Sequence, residues 1–179
     1  MNPELLRRKL KPLRLSALSL RVVDYWLSLS RDGALPRRAD FDPATAGDLL
    51  RNCGLFDVRP GESVHCRIAG TVMKIALGSN LSGQDWLAIT PPRYREQRLA
   101  RYSAVAEGAI GVGRRAGLRR SDTPVIAEEV MLPFAGAAPD GTRQVLLHTD
   151  WQPEGEEWFG IDPSLALALA DDFQLLALE

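Results

Sequence analysis

Residues able to do chemistry are few in this sequence, and their spacing does not suit catalysis. His65 and His148 are the only histidines. Both lie in stretches that alternate like strands, and two imidazoles fall short of the three or four ligands zinc usually takes. They read as ordinary strand histidines, with a shared polar patch or a ligand contact as the alternative. Cys53 and Cys66 form neither a CxxC pair nor a disulfide framework and read as small buried hydrophobes. Ser79, Ser82 and Ser103 lack a GxSxG context. Glu128 and Glu129 are neighbours on an expected strand, so they point to opposite faces and cannot act as a close carboxylate pair. Gly108, Gly111 and Gly113 do not have the spacing of a phosphate-cradling loop. Arg114, Arg115, Arg119 and Arg120 have no interleaved aromatic residues and read as a solvated hairpin edge, so nucleic acid is not an expected partner. No enzymatic activity is expected.

Binding is better supported than catalysis. Met73, Trp86, Tyr94 and Tyr102 fall on the helical part of the chain and combine apolar walls with phenolic hydroxyls, a mixture that suits a small organic ligand. The same residues would serve equally as core filling.

These residues are positioned by a chain of 179 residues with 45% hydrophobic and 25% charged residues, ordinary values for one globular domain. The net charge of -1 conceals a basic start and an acidic end: residues 1–14 carry +4 and residues 151–179 carry -7. Such ends keep a protein soluble, or attract each other or a partner. The basic start could also touch an anionic membrane surface peripherally, a weaker expectation. No stretch is apolar for the roughly 18 residues a membrane span needs, and no export signal is read. A cytoplasmic protein is expected.

From Ser16 to Ser30, Leu18, Val22, Tyr25, Trp26 and Leu29 share one side of a helix, widened by Leu20, Val23 and Leu27. So wide an apolar arc must be buried, against the domain's own sheet or a second copy. Val22, Tyr25, Trp26 and Leu29 are therefore the candidate contacts to a protein partner or in a homodimer. Asp42-Pro43 starts a further helix. Strands follow at 54–58 and from Val64, with Val64, Cys66 and Ile68 on one face and His65 and Arg67 on the other. Gly70 ends the second strand, and Thr71 opens a short helix that Gly78 stops. Thr90-Pro91-Pro92 leads into a longer helix with Leu99, Tyr102 and Ala106 on one stripe. Three more strands are expected near 110–118, 124–134 and 143–150, and an Asp162-Pro163 cap predicts a helix over 163–177.

The segments DYWLSLSRDGALPRRADFDP (24–43), LFDV (55–58), CRIAGT (66–71) and GSNLSG (78–83), in this order and spacing, resemble a bacterial family of small PAS-domain proteins. That family is common in alphaproteobacteria and was first catalogued as a domain of unknown function. The resemblance covers about residues 22–151 and implies an α+β PAS fold: a five-stranded antiparallel sheet with short helices on one face and a pocket between them. Residues 1–21 then form a basic segment leading into the amphipathic helix, and residues 152–179 an acidic tail. The cofactor is unknown. Haem is disfavoured because residues 91–107 hold no histidine for an axial ligand, and a covalent flavin is disfavoured because neither cysteine is placed for it. No kinase, cyclase, phosphodiesterase or DNA-binding segment is recognised beside the domain, so output is expected to pass through a partner or self-association. The leading expectation is a sensory and regulatory module that binds a small molecule and signals through protein contacts. The alternative is a ligand-free interaction scaffold or dimerisation module.

Overall fold

A computed structural model describes residues 2–30, 34–77, 81–118, 124–152 and 172–178. Helix α1 (Pro3–Leu10) is capped by Asn2, whose side chain accepts from the backbone N–H groups of Glu4 and Leu5. Ser16 caps α2 (Ala17–Ser28), and Asp42 caps α3 (Pro43–Ala46), with Pro43 at the first helical position as expected. α3 is a single turn, and a 3-10 helix over Gly47–Asn52 carries the chain into β1 (Cys53–Arg59). After β2 (Ser63–Ala69) come α4 (Thr71–Leu77), turns around Trp86, a 3-10 turn at Pro92–Tyr94 and α5 (Arg95–Ala106). β3 (Ile110–Leu118), β4 (Pro124–Pro133) and β5 (Arg143–Gln152) complete the expected order. The predicted stop at Gly78 lies outside the described residues.

All strand pairs are antiparallel, in the order β2-β1-β5-β4-β3-β6. The sixth strand, β6 (Gln174–Leu176), corrects the sequence reading. The helix expected over 163–177 lies mostly outside the described residues, but its last part is a strand paired with β3, Ile110 opposite Leu176. A spacing of three puts Phe173 and Leu176 on one face of a helix, but in the sheet they go to opposite sides, Phe173 against the inner core and Leu176 against the outer, and pairing with the edge of β3 decides for the strand.

The second correction concerns the layers. Helices cover both faces of the sheet, not one. On the inner face α4, the Trp86 turns and α5 bury Met73, Trp86, Tyr102 and Val105 against Phe56, Val64, Met131 and Leu147. On the outer face α1 and α2 bury Leu6, Leu10, Val22 and Trp26 against Val130, Leu132 and Leu146. Within the basic segment 1–21, α1 seats Leu6 and Leu10, each 2% exposed, in the outer core. The buried Trp26 indole donates to the Pro133 carbonyl at 2.9 Å, satisfying its one polar atom.

The third correction is local. Leu55 pairs with Ile68 and Phe56 with Cys66, leaving Arg67 as an extra residue on β2. This β-bulge breaks the alternation, so Ile68 leaves the face shared by Val64 and Cys66 and stands 53% exposed on the outer side.

Candidate functional site

The expected interior pocket is filled. Phe56 meets Trp86 edge-on at 5.1 Å between ring centroids and Tyr102 at the same distance, and Met73 packs in the same cluster. Gly54 has no side chain where one would press on Phe56 and on the Met73 sulfur. The space left beside Trp86, Tyr102 and Met131 is about 10 Å³, room for one water at most. Arg98, 2% exposed, lies over the Trp86 ring at 5.1 Å and donates to the Thr90 hydroxyl at 2.9 Å, closing that side. Three of the four proposed pocket residues are therefore brought together, as packing. The fourth, Tyr94, is half-buried on the turn before α5, under the Arg93 guanidinium at 4.8 Å, and takes no part in the cluster.

The proposed partner contacts are also used internally. Val22 and Trp26 are 1% and 0% exposed, Tyr25 donates its hydroxyl to the Asp42 carbonyl at 2.9 Å, and Leu29 packs against the outer core. Of the two alternatives left open for the apolar arc of α2, the chain's own sheet is the one observed, so Val22, Tyr25, Trp26 and Leu29 are not placed as contacts to another molecule.

The chemistry-bearing residues stand as separate features. Cys53, on the outer face, has its thiol 3.7 Å from His148 Nδ1, and Cys66 is on the inner face. Burial pushes the Cys53 thiol up to about 12 and the Cys66 thiol to about 11, the latter held back by Lys74. His65 lies on the β2 edge, bridged to Asp85, far along the sheet from His148. Glu128 and Glu129 do face opposite sides: Glu128 accepts from the Ser16 N–H at 2.9 Å beneath α2, while Glu129 borders the small inner space beside Arg98. Arg114 donates to the carbonyls of Leu13 and Arg14, so it ties α2's approach to the sheet, and Arg119 and Arg120 lie outside the described residues. Among the described residues no group of three or more His, Cys, Asp or Glu is placed to hold a metal, and no helix is long and apolar enough to cross a membrane.

Open space lies on the outer face, over β1 and β2, where α2 does not reach. A groove of about 770 Å³ runs past Arg37, Asp57, His65, Arg67, Asp140 and Arg143. Asp57 at its floor accepts from Arg67 at 3.0 Å and Gln144 at 2.8 Å. Next to it is a smaller pocket of about 280 Å³, walled by Phe41, Leu50, Leu55, Ile68 and Leu146. Arg38 lines both spaces. Its guanidinium donates to the Phe41 carbonyl at 3.1 Å and lies 5.3 Å from the centroid of the Phe41 ring. Sequence reasoning missed this region because it depends on the bulge at Arg67, which no local pattern announces.

No curated protein matches the chain. Among solved structures, a fungal LOV-domain photoreceptor is similar at 13% identity and a TM-score of 0.41, covering 75% of this chain and 94% of that chain. A family profile described as a PAS domain matches residues 15–147, from just before α2 to the middle of β5. That match covers well over half of the chain, and by it the chain belongs to the PAS_5 family of PAS domains.

Proposed function

We propose that this chain is a non-catalytic regulatory PAS module that works through contacts made at its surface, without a ligand in its interior. One observation carries the reading. Among the described residues Phe56, Met73, Trp86 and Tyr102 pack in one cluster, and the space lined by Trp86, Tyr102 and Met131 is about 10 Å³, against the roughly 300 Å³ or more of ordinary ligand pockets. The open surface over β1 and β2 offers far more room, with charged groups along it. Regulation then consists of a shift between two sets of surface contacts, on the coupling scale of about 1–3 kcal/mol.

Native mass spectrometry of the full chain, purified without denaturation, tests the interior. The expected result is a mass free of any adduct that a Tyr102→Ala substitution displaces. A stoichiometric compound lost in that variant and retained in an Ile68→Ser variant would place a ligand inside and overturn the reading.

A further inference from the structure

The 280 Å³ pocket on the outer face has a one-sided chemistry. Its walls are the apolar side chains of Phe41, Leu50, Leu55, Ile68 and Leu146, its charged lining residues are Arg38 and Arg51, and among the described residues no carboxylate lines it. The bulge at Arg67 is what turns Ile68 outward to form one wall. Further wall comes from Phe41, Pro43 and Leu50, on the turns that lead into β1.

The arginines on this surface divide into two groups. Arg37, Arg59 and Arg67 are each bonded to a carboxylate, at Asp40, at Glu62 and Asp140, and at Asp57. Arg38 and Arg51, at the pocket, have no ion-pair partner among the described residues, nor has Arg143 in the adjoining groove. The Arg38 Nε–H is buried without an acceptor. A guanidinium beside an apolar wall is a poor neighbour for a neutral molecule and a good one for a carboxylate, which it can hold through two parallel hydrogen bonds.

We propose that this pocket binds a small amphipathic monoanion, its apolar body seated on Leu55, Ile68 and Leu146 and its carboxylate held by Arg38 and Arg51. Burial of the apolar body supplies affinity, and the unpaired guanidinium groups select the charge. The pocket adjoins α2 through Phe41, whose ring meets Tyr25 edge-on at 5.5 Å, so an occupant would press on the layer covering the sheet. The binding step deepens the regulatory reading by giving it an input, and rests on that reading only for its consequence.

The test is titration of the ¹⁵N-labelled full chain with decanoate and with 4-phenylbutyrate, each below its aggregation threshold, followed by amide shifts. At least one of the two should give saturable shifts centred on Leu55, Ile68 and Gly70. Arg38→Gln, Arg51→Gln and Ile68→Ser should each weaken it by about tenfold while keeping the parent's dispersed spectrum, and decanamide should bind about tenfold more weakly than decanoate. Arg67→Gln should change little. Absence of saturable shifts with both acids overturns the proposal, as does binding that Arg38→Gln and Arg51→Gln leave unchanged. Tighter binding of a glutamate-rich peptide, dependent on Arg67 and Arg143, would also overturn it by making the whole groove a peptide site. Failure of any of these arms leaves the native mass result untouched, and an interior adduct would leave this titration unaffected, so the two readings fall separately.

Discussion

The thiol of Cys53 lies 3.7 Å from Nδ1 of His148, on strands paired residue for residue beneath α2, and neither side chain is exposed enough to reach water freely. His148 is 0% exposed, and its Nε2 has no hydrogen-bond partner. Burial lowers the imidazole from 6.5 to about 4, partly offset by the charge of Glu128. The pair is a long sulfur–imidazole hydrogen bond in a buried setting, and the thiol also lies 3.2 Å from the Leu49 carbonyl, to which it can donate.

This relationship sets an acid limit on stability. Between pH 6.5 and 4 the unfolded chain binds a proton at His148 that the folded chain refuses, so the stabilisation is complete above about 6.5 and is lost as pH falls toward 4. Urea melts at pH 7 and pH 5 should differ by about 2 kcal/mol from this group alone. His148→Leu should flatten that difference. An equal acid loss in the variant would show that other groups cause it.

The two thiols should be silent in the folded protein. Cys53 and Cys66 are 5% and 0% exposed, and burial raises both well above neutral pH, which suppresses the thiolate that reacts. Labelling with an aromatic disulfide should therefore proceed only as fast as the chain opens, and accelerate with urea. A burst of labelling in native buffer would count against the packing around either residue.

The element order was legible because it rests on short-range signals. Period-2 alternation marked the beginning of β2, Asp42-Pro43 marked a helix start, and Leu99, Tyr102 and Ala106 marked the buried stripe of α5. What the apolar arc of α2 faces was not legible, because periodicity gives the width of a buried face and not the identity of its cover. The same limit applies to Met73, Trp86 and Tyr102: aromatic residues on a helical layer fit a pocket and a core equally well, and only the 5.1 Å ring contacts with Phe56 decide. Arg38 and Ile68 were invisible as a pair because a single extra residue, Arg67, determines that they share a face.

Removing the cover should be worse than opening the core. Trp26→Ala loses a fully buried indole and leaves the Pro133 carbonyl without its donor, an expected loss of about 3–5 kcal/mol by chemical denaturation. Deletion of residues 2–29 goes further and bares Val130, Leu132 and Leu146, so the product should associate or precipitate. A soluble monomer after that deletion would mean that α1 and α2 are dispensable. Tyr102→Ala, by contrast, should cost about 3 kcal/mol and leave the chain monomeric.

The end of β2 provides the most demanding steric test. A Cβ built on Gly70 would lie 2.7 Å from the Cys53 carbonyl oxygen and closer still to those of Leu50 and Arg51, all backbone atoms that cannot swing aside. The same approach lets the Gly70 N–H donate to the Cys53 carbonyl at 2.7 Å, holding the 3-10 segment against the strand and closing one end of the outer pocket. Gly70→Ala must therefore push β2 away from Gly47–Asn52, at an expected cost of about 2–3 kcal/mol. Gly61→Ala serves as the control, since its φ of 76° is strained for alanine but nothing lies within 4 Å of the added methyl. Its loss should stay near 1 kcal/mol, and it should leave the pocket intact. If the Gly70 variant were no less stable than the Gly61 variant, the close packing of β2 on those carbonyls would be wrong, and with it the closed end of the pocket.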